Sequence, residues 1–207
     1  MTDWSVIKWT GIGNGMERQD KYQQILEAAI ELFSERGMEN TSIQEIAELA
    51  GVAKGTIYLY FKSKDDLMEQ VYKYCYEMDI KACSRGVQEQ KNTIDKLCRR
   101  MDNIIDYLLC HPKEARIEQM YRISFSGRNY FSYYQEEMYQ AIEAVVREGI
   151  EKKELKDMPV SILTRVYYGI AQGLYHGFQE EPELWKQQKI KEQCHEMIRS
   201  SMASQQI

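Results

Sequence analysis

Apolar residues that recur every three or four positions along nearly the whole chain leave room for little but helices. From Gln19 the residues Tyr22, Ile25, Leu26, Ala29, Leu32 and Phe33 line one face of a 3.6-residue repeat. Gly37 closes this first predicted helix, because glycine adopts the left-handed conformation that ends a helix and lets the chain reverse. The run Thr41-Ser42-Ile43-Gln44-Glu45 then offers a capping box, Thr41 with Gln44 or Ser42 with Glu45, to a short second helix carrying Ile43, Ile46 and Ala47 inward. Ala50-Gly51-Val52 breaks that helix. A third is predicted from about Ala53 to Phe61, with Ile57 and Phe61 on its buried side, and Ser63 with Asp66 caps a fourth reaching to about Arg85.

Beyond Lys91 the pattern stays helical, punctuated by His111-Pro112, Ser126-Gly127, Met158-Pro159 and Glu181-Pro182. It predicts five more helices at roughly 92–110, 112–125, 129–154, 159–179 and 182–203. No strand alternation competes, so the expected fold class is all-α with about nine helices. The first fifteen residues lack a helical period and are expected to form a flexible extension, with Met16 as the possible true start. Gly11, Gly13 and Gly15 make no dinucleotide loop, since no strand precedes them.

A chain of 207 residues, 43% hydrophobic and 29% charged with three prolines, can build a real core and has no apolar run of membrane-spanning length. No membrane partner is expected. The five cysteines, Cys75, Cys83, Cys98, Cys110 and Cys194, are odd in number and lack a CxxC pair, which points to free thiols in a reducing compartment. Met1 to Gly15 lacks the basic start and apolar stretch of a secretory signal, so the expected location is cytoplasmic.

The formal net charge of −5 speaks against a general affinity for nucleic acid. Between Glu17 and Lys64 acids outnumber bases, so any DNA-binding charge must be local, and Lys54, Lys62 and Lys64 cluster at the end of that stretch. Two short helices joined by a turn at Gly51 form a unit whose second helix can enter a major groove. On a helical wheel Ile57 and Phe61 share one face, while Leu59 lies opposite with Gly55 and Thr56 beside it. The missing side chain at Gly55 would let the backbone approach the bases, and Thr56 and Leu59 could meet a thymine methyl or a base edge. Gln44 and Lys54 are the polar candidates for base readout, and Tyr58, Tyr60 and Lys64 suit phosphate oxygens. Thr41 and Ser42 offer hydroxyls at a helix N-terminus, where a phosphate is also favoured. The same periodicity would fit Leu59 and Tyr58 packed on a neighbouring helix, with Lys62 and Lys64 as ordinary surface charge.

The whole run decides between these readings. Ala28-Ala29, Leu32-Phe33, Gly37, Thr41, Ile46-Ala47, Ala50-Gly51-Val52, Lys54-Gly55-Thr56-Ile57-Tyr58, Tyr60-Phe61 and Ser63-Lys64 closely resemble the N-terminal signature of the TetR family, the tetracycline-repressor-like regulators. The resemblance implies a recognition helix at about Lys54 to Phe61, phosphate contacts from Thr41, Tyr60 and Lys64, and a homodimer on a palindromic DNA operator. It divides the chain into an extension over 1–15, a three-helix helix-turn-helix DNA-binding domain over 16–64, and a helical ligand-binding and dimerisation domain over 65–207.

In the C-terminal half, Gly169, Gly173 and Gly177 recur every four residues in one predicted helix, each costing roughly 1 kcal/mol relative to alanine. A stripe without side chains admits a second helix closely, either across a subunit interface or within the subunit core. The resembled family joins its last two helices into a four-helix bundle across the dimer. An excess of Tyr, Phe and Met marks a candidate pocket for a small-molecule effector: Met101, Ile105, Met120, Tyr121, Phe125, Tyr130, Tyr134, Met138, Tyr167, Tyr168, Tyr175 and His176. Such a lining suits a planar, aromatic or amphipathic molecule better than a highly charged one. The alternative is a ligandless DNA-binding or protein-interaction factor in which these side chains are solid core.

Catalysis finds little support. His111, His176 and His195 have no ligand-spaced partners, there is no GxSxG, and Cys194 and His195 point about 100° apart on a helix. Neither a metal nor a cofactor is implied, and the expected function is that of a transcription regulator, released from DNA by its effector.

Overall fold

The computed structural model describes residues 15–124 and 129–204 and, within these, all side chains but those of 15–17, 122–124 and 129–138. Ten helices occur among the described residues: α1 (Gly15–Arg36), α2 (Ile43–Leu49), α3 (Lys54–Ile57), α4 (Lys64–Ser84), α5 (Thr93–Cys110), α6 (Pro112–Ser124), α7 (Asn129–Glu151), α8 (Val160–Glu180), α9 (Pro182–Trp185) and α10 (Gln188–Met202). The all-α expectation holds, and the one β feature among these residues is an isolated antiparallel bridge between Leu155 and Ala203. Contacts group the chain into two compact units that divide inside α4, one ending at Lys73 and the other starting at Tyr74.

The first unit is built on α1. Its apolar stripe puts Ile25, Leu26, Ala29 and Phe33 in the core against Ile46 and Ala47 of α2, with Ile57, Phe61 and Leu67 completing it. The Tyr22 ring stacks on Phe61 at 5.3 Å between centroids. The segment expected as one helix from Ala53 to Phe61 is α-helical only over Lys54–Ile57. Beyond it the amides of Leu59 and Tyr60 bond three residues back, to Thr56 and Ile57. Such bonds tighten a helix end, and the β-branched and aromatic residues from Thr56 to Phe61 are poor at prolonging a regular helix.

In the second unit α8 packs against α5, α7 and α10. Leu97, Met101 and Ile105 meet Ile142 and Val146, Leu163, Tyr167 and Ala171, and Ile198 and Met202. The buried Tyr167 hydroxyl donates to the Leu97 carbonyl at 3.1 Å, satisfying a polar group inside an apolar layer. The expected helix over 182–203 is instead two, α9 and α10, which is why ten helices stand where nine were predicted. Trp185 explains the break: its ring lies 5.0 Å from Phe178 and its Nε1 donates to Asp106 at 2.6 Å, so this tertiary anchor fixes the chain where a continuous helix would turn it away. Likewise α7 stops at Glu151, because Lys153 adopts φ 59° and turns Leu155 back into the core.

All five cysteines are free, and Cys110 alone among them is exposed. Among the described residues no helix is long and apolar enough to cross a membrane.

Candidate nucleic-acid interface

The turn between α2 and α3 is dictated locally. Of the two capping boxes open in the sequence, Ser42 with Glu45 forms: the Glu45 amide donates to the Ser42 hydroxyl at 3.2 Å and the Ser42 amide to the Glu45 carboxylate at 2.8 Å. The Ser42 amide and hydroxyl, helped by the nearby Arg36 charge, hold the Glu45 carboxyl below its ordinary range. At the other end, Gly51 at φ 66° lets its own amide reach Glu48 and the Val52 amide reach Ala47 at 3.0 Å. This double bond pattern uses orphan carbonyls of α2 and reverses the chain.

α3 is held by one side only. Ile57 and Phe61 are buried, whereas Lys54, Gly55, Tyr58 and Leu59 are exposed, Tyr58 at 51% and Leu59 at 74%. A Cβ added at Gly55 would meet no atom within 4 Å and its φ is ordinary, so nothing in the subunit itself calls for glycine there. Thr56, Tyr60 and Lys64 are half-buried at the margins, and Ser42 is exposed. Gln44 is exposed with its amide on Glu48 at 2.8 Å. Leu49, at the end of α2, is a further exposed apolar side chain of this unit, at 53%; it was legible as the leucine off the inward face of α2. Among the described residues none of Lys54, Lys62 and Lys64 enters an ion pair, while Arg36 is engaged by Glu45 at 3.1 Å.

Thr41 is the exception. It is 3% exposed and its hydroxyl donates to the Gly37 carbonyl at 2.9 Å, so it serves the turn after α1 and has no face to offer a phosphate. The expected phosphate contact from Thr41 is therefore withdrawn.

A capped helix, a glycine turn and a second helix with one face bare define a helix-turn-helix DNA-binding domain on an all-helical chain, the build of a transcriptional regulator. A family model described as "Bacterial regulatory proteins, tetR family" matches residues 25–71. An uncharacterised HTH-type transcriptional regulator of Bacillus subtilis, YvdT, is 30% identical over 173 residues, 78% of this chain and 86% of the relative. Among solved structures, a tetR family transcription regulator from Shewanella sp. PV-4 superposes with TM-score 0.76 at 24% identity, covering 89% of this chain and 99% of that one. The regulator FadR from Bacillus subtilis, in complex with stearoyl-CoA, does so with TM-score 0.74 at 24% identity over 86% and 98%. The chain belongs to the TetR family of transcriptional regulators.

In the helical unit the described members of the expected pocket fall in different surroundings. Met101, Ile105 and Tyr167 are fully enclosed in the main core. Tyr175 belongs to a second cluster with Cys83, Ile104, Tyr107, Leu108 and Ala115. Tyr121 is buried, Met120 and Tyr168 are half-buried, and His176 is exposed. Phe125 lies outside the described residues, as do the side chains of Tyr130, Tyr134 and Met138. A cavity of about 270 Å³ does open between α7 and α8, but it is lined by Tyr139, Glu143, Ser161 and Arg165, none of them an expected liner. Periodicity reports which side of a helix faces inward; whether neighbours fill the space depends on packing.

Gly169, Gly173 and Gly177 are all exposed, and a Cβ on any of them would meet no atom within 4 Å. Among the described residues, then, no second helix of the subunit packs closely on this stripe. Cys194 is buried while His195 faces Asp102 at 2.8 Å, so the two neighbours do not meet.

One residue escaped the sequence pattern. Arg100 sits on α5 three residues from Leu97 and four from Ile104, in register with apolar positions, and is 4% exposed. A charged residue in the apolar register of an amphipathic helix was the available signal.

Proposed function

We propose that the protein is a homodimeric repressor that binds a palindromic operator through α3 and is released by a small apolar or aromatic ligand. The observation that carries this reading is the bare face of α3, where an exposed leucine stands beside a glycine that the fold itself does not need. In this reading Gln44 and Lys54 read base edges, Thr56 and Leu59 meet thymine methyls, and Ser42, Tyr58, Tyr60 and Lys64 hold phosphates. The reader extends to about residue 64, and the rest of the chain regulates it.

Two copies must present α3 to successive major grooves about 34 Å apart. The exposed glycines of α8, flanked by exposed Ile162 and Val166, favour a close helix approach from a second subunit. A ligand that prefers a subunit spacing unsuited to the operator would release the DNA. The stearoyl-CoA bound to the FadR structure supports an amphipathic acyl compound as one class of effector. A second reading, a regulator with no ligand, is favoured by the complete enclosure of Met101, Ile105 and Tyr167.

Genomic footprinting with the purified protein, paired with light scattering on the wild type and Gly173→Leu, tests the proposal. A symmetric footprint and a dimer that Gly173→Leu dissociates are expected. A monomer that protects an asymmetric site would overturn it.

A further inference from the structure

A guanidinium taken out of water must be met by hydrogen-bond acceptors or by an opposite charge, or it weighs heavily against the fold. Arg100 is 4% exposed, and its Nε and Nη2 are buried without any hydrogen-bond partner. Among the described residues no carboxylate forms an ion pair with it, although two buried acids, Asp79 and Glu118, belong to the same unit. Asp79 accepts the Cys83 thiol at 2.9 Å. Burial pushes the Cys83 thiol and the Tyr167 phenol up, Asp79 adds to the first, and the Arg100 charge works against both. The guanidinium is thus near enough to Cys83 of α4 and Tyr167 of α8 for its charge to act on both, and Cys83 packs in one cluster with the apolar and aromatic side chains of Ile104, Tyr107 and Tyr175.

We infer that Arg100 is an anion-binding centre of the effector site, taking the carboxylate or phosphate headgroup of an amphipathic molecule whose apolar part lies among those side chains. This rests on the reading that a small molecule enters the helical unit, and it narrows the class of molecule. Two parallel N–H donors match an anionic oxygen pair, and a low-dielectric setting strengthens the match. The buried Nε and Nη2 donors then supply the affinity for an anion.

Isothermal titration of the full chain with sodium dodecanoate, dodecyl phosphate, dodecanol and sodium phosphate tests this, with the amphiphiles below their micellar concentrations. At least one charged amphiphile should bind tenfold or more tightly than dodecanol, and the tighter of the two names the headgroup. Arg100→Met should abolish that margin and keep the affinity for dodecanol. It should melt no lower than wild type in the absence of ligand, since it removes an uncompensated buried charge. Equal binding of dodecanol and dodecanoate to the wild type would overturn the anion centre while leaving ligand control intact. Binding by none of the three amphiphiles would overturn both the centre and the amphiphile reading beneath it. Inorganic phosphate binding as tightly as the charged amphiphiles, or a melting temperature that falls by several degrees in Arg100→Met, would also overturn it, by marking an unspecific anion site or a structural charge.

Discussion

The ammonium of Lys96 donates to both carboxylate oxygens of Glu148, at 2.9 and 3.0 Å, and so ties α5 to α7 across 52 residues of chain. Lys152, just past the end of α7, reaches the same carboxylate.

These bonds make Glu148 a contributor to acid sensitivity. Hydrogen bonds from Lys152 and from Lys96 hold its carboxyl below the ordinary value of 4.5. A group whose folded pKa is depressed stabilises the fold above its unfolded pKa and loses that contribution as the pH falls through the folded value. Glu148→Gln should therefore lower stability at neutral pH, by at most about 1 kcal/mol for a partly exposed pair. The gap from wild type should close as the pH drops from 4.5 through the folded value. Thermal melts across that range check this; a gap that widens in acid would contradict it.

Gly51 and Gly55 stand four residues apart and should behave oppositely. Gly51→Ala forces a side chain into φ 66° and should cost about 1–2 kcal/mol in denaturant unfolding. Gly55→Ala meets open space at ordinary φ and should leave stability unchanged or raise it by up to about 1 kcal/mol. The same methyl should weaken operator binding by about 1–3 kcal/mol in a gel-shift titration. Undiminished binding by Gly55→Ala would remove α3 from the groove.

Phosphate and base contacts are separable by salt. Lys64→Ala should weaken binding to all DNA sequences alike and lower the salt slope by about one unit, whereas Lys54→Ala or Gln44→Ala should relax preference at one base position. Fluorescence anisotropy at several salt concentrations reads both; equal losses from all three variants would refute the division of roles.

Gly149 is the glycine on which packing in the helical unit depends. A Cβ there would fall 2.6 Å from Cγ2 of Thr93 and 2.7 Å from Cγ of Leu155. Gly149→Ala, despite its better helix propensity, should destabilise by about 1–3 kcal/mol through overpacking. A calorimetric melt at or above the wild-type temperature would contradict this.

The sequence by itself determined what short-range chemistry can decide. The presence of a capping box before α2, the turn at Gly51, the inward face of α1 and the outward side of α3 each depend on residues within about two helical turns, and all were legible before any coordinate, although the choice of Ser42 with Glu45 over Thr41 with Gln44 was not. Tertiary structure alone decided what depends on partners far along the chain. The last predicted helix broke because Trp185 found Asp106 79 residues away. Met101, Ile105 and Tyr167 came to lie in the main core and Tyr175 in a second cluster, and Arg100 was buried among them at 4% exposure. A periodic pattern encodes which way a side chain points, whereas what it meets there is set by the packing of elements that the pattern does not connect.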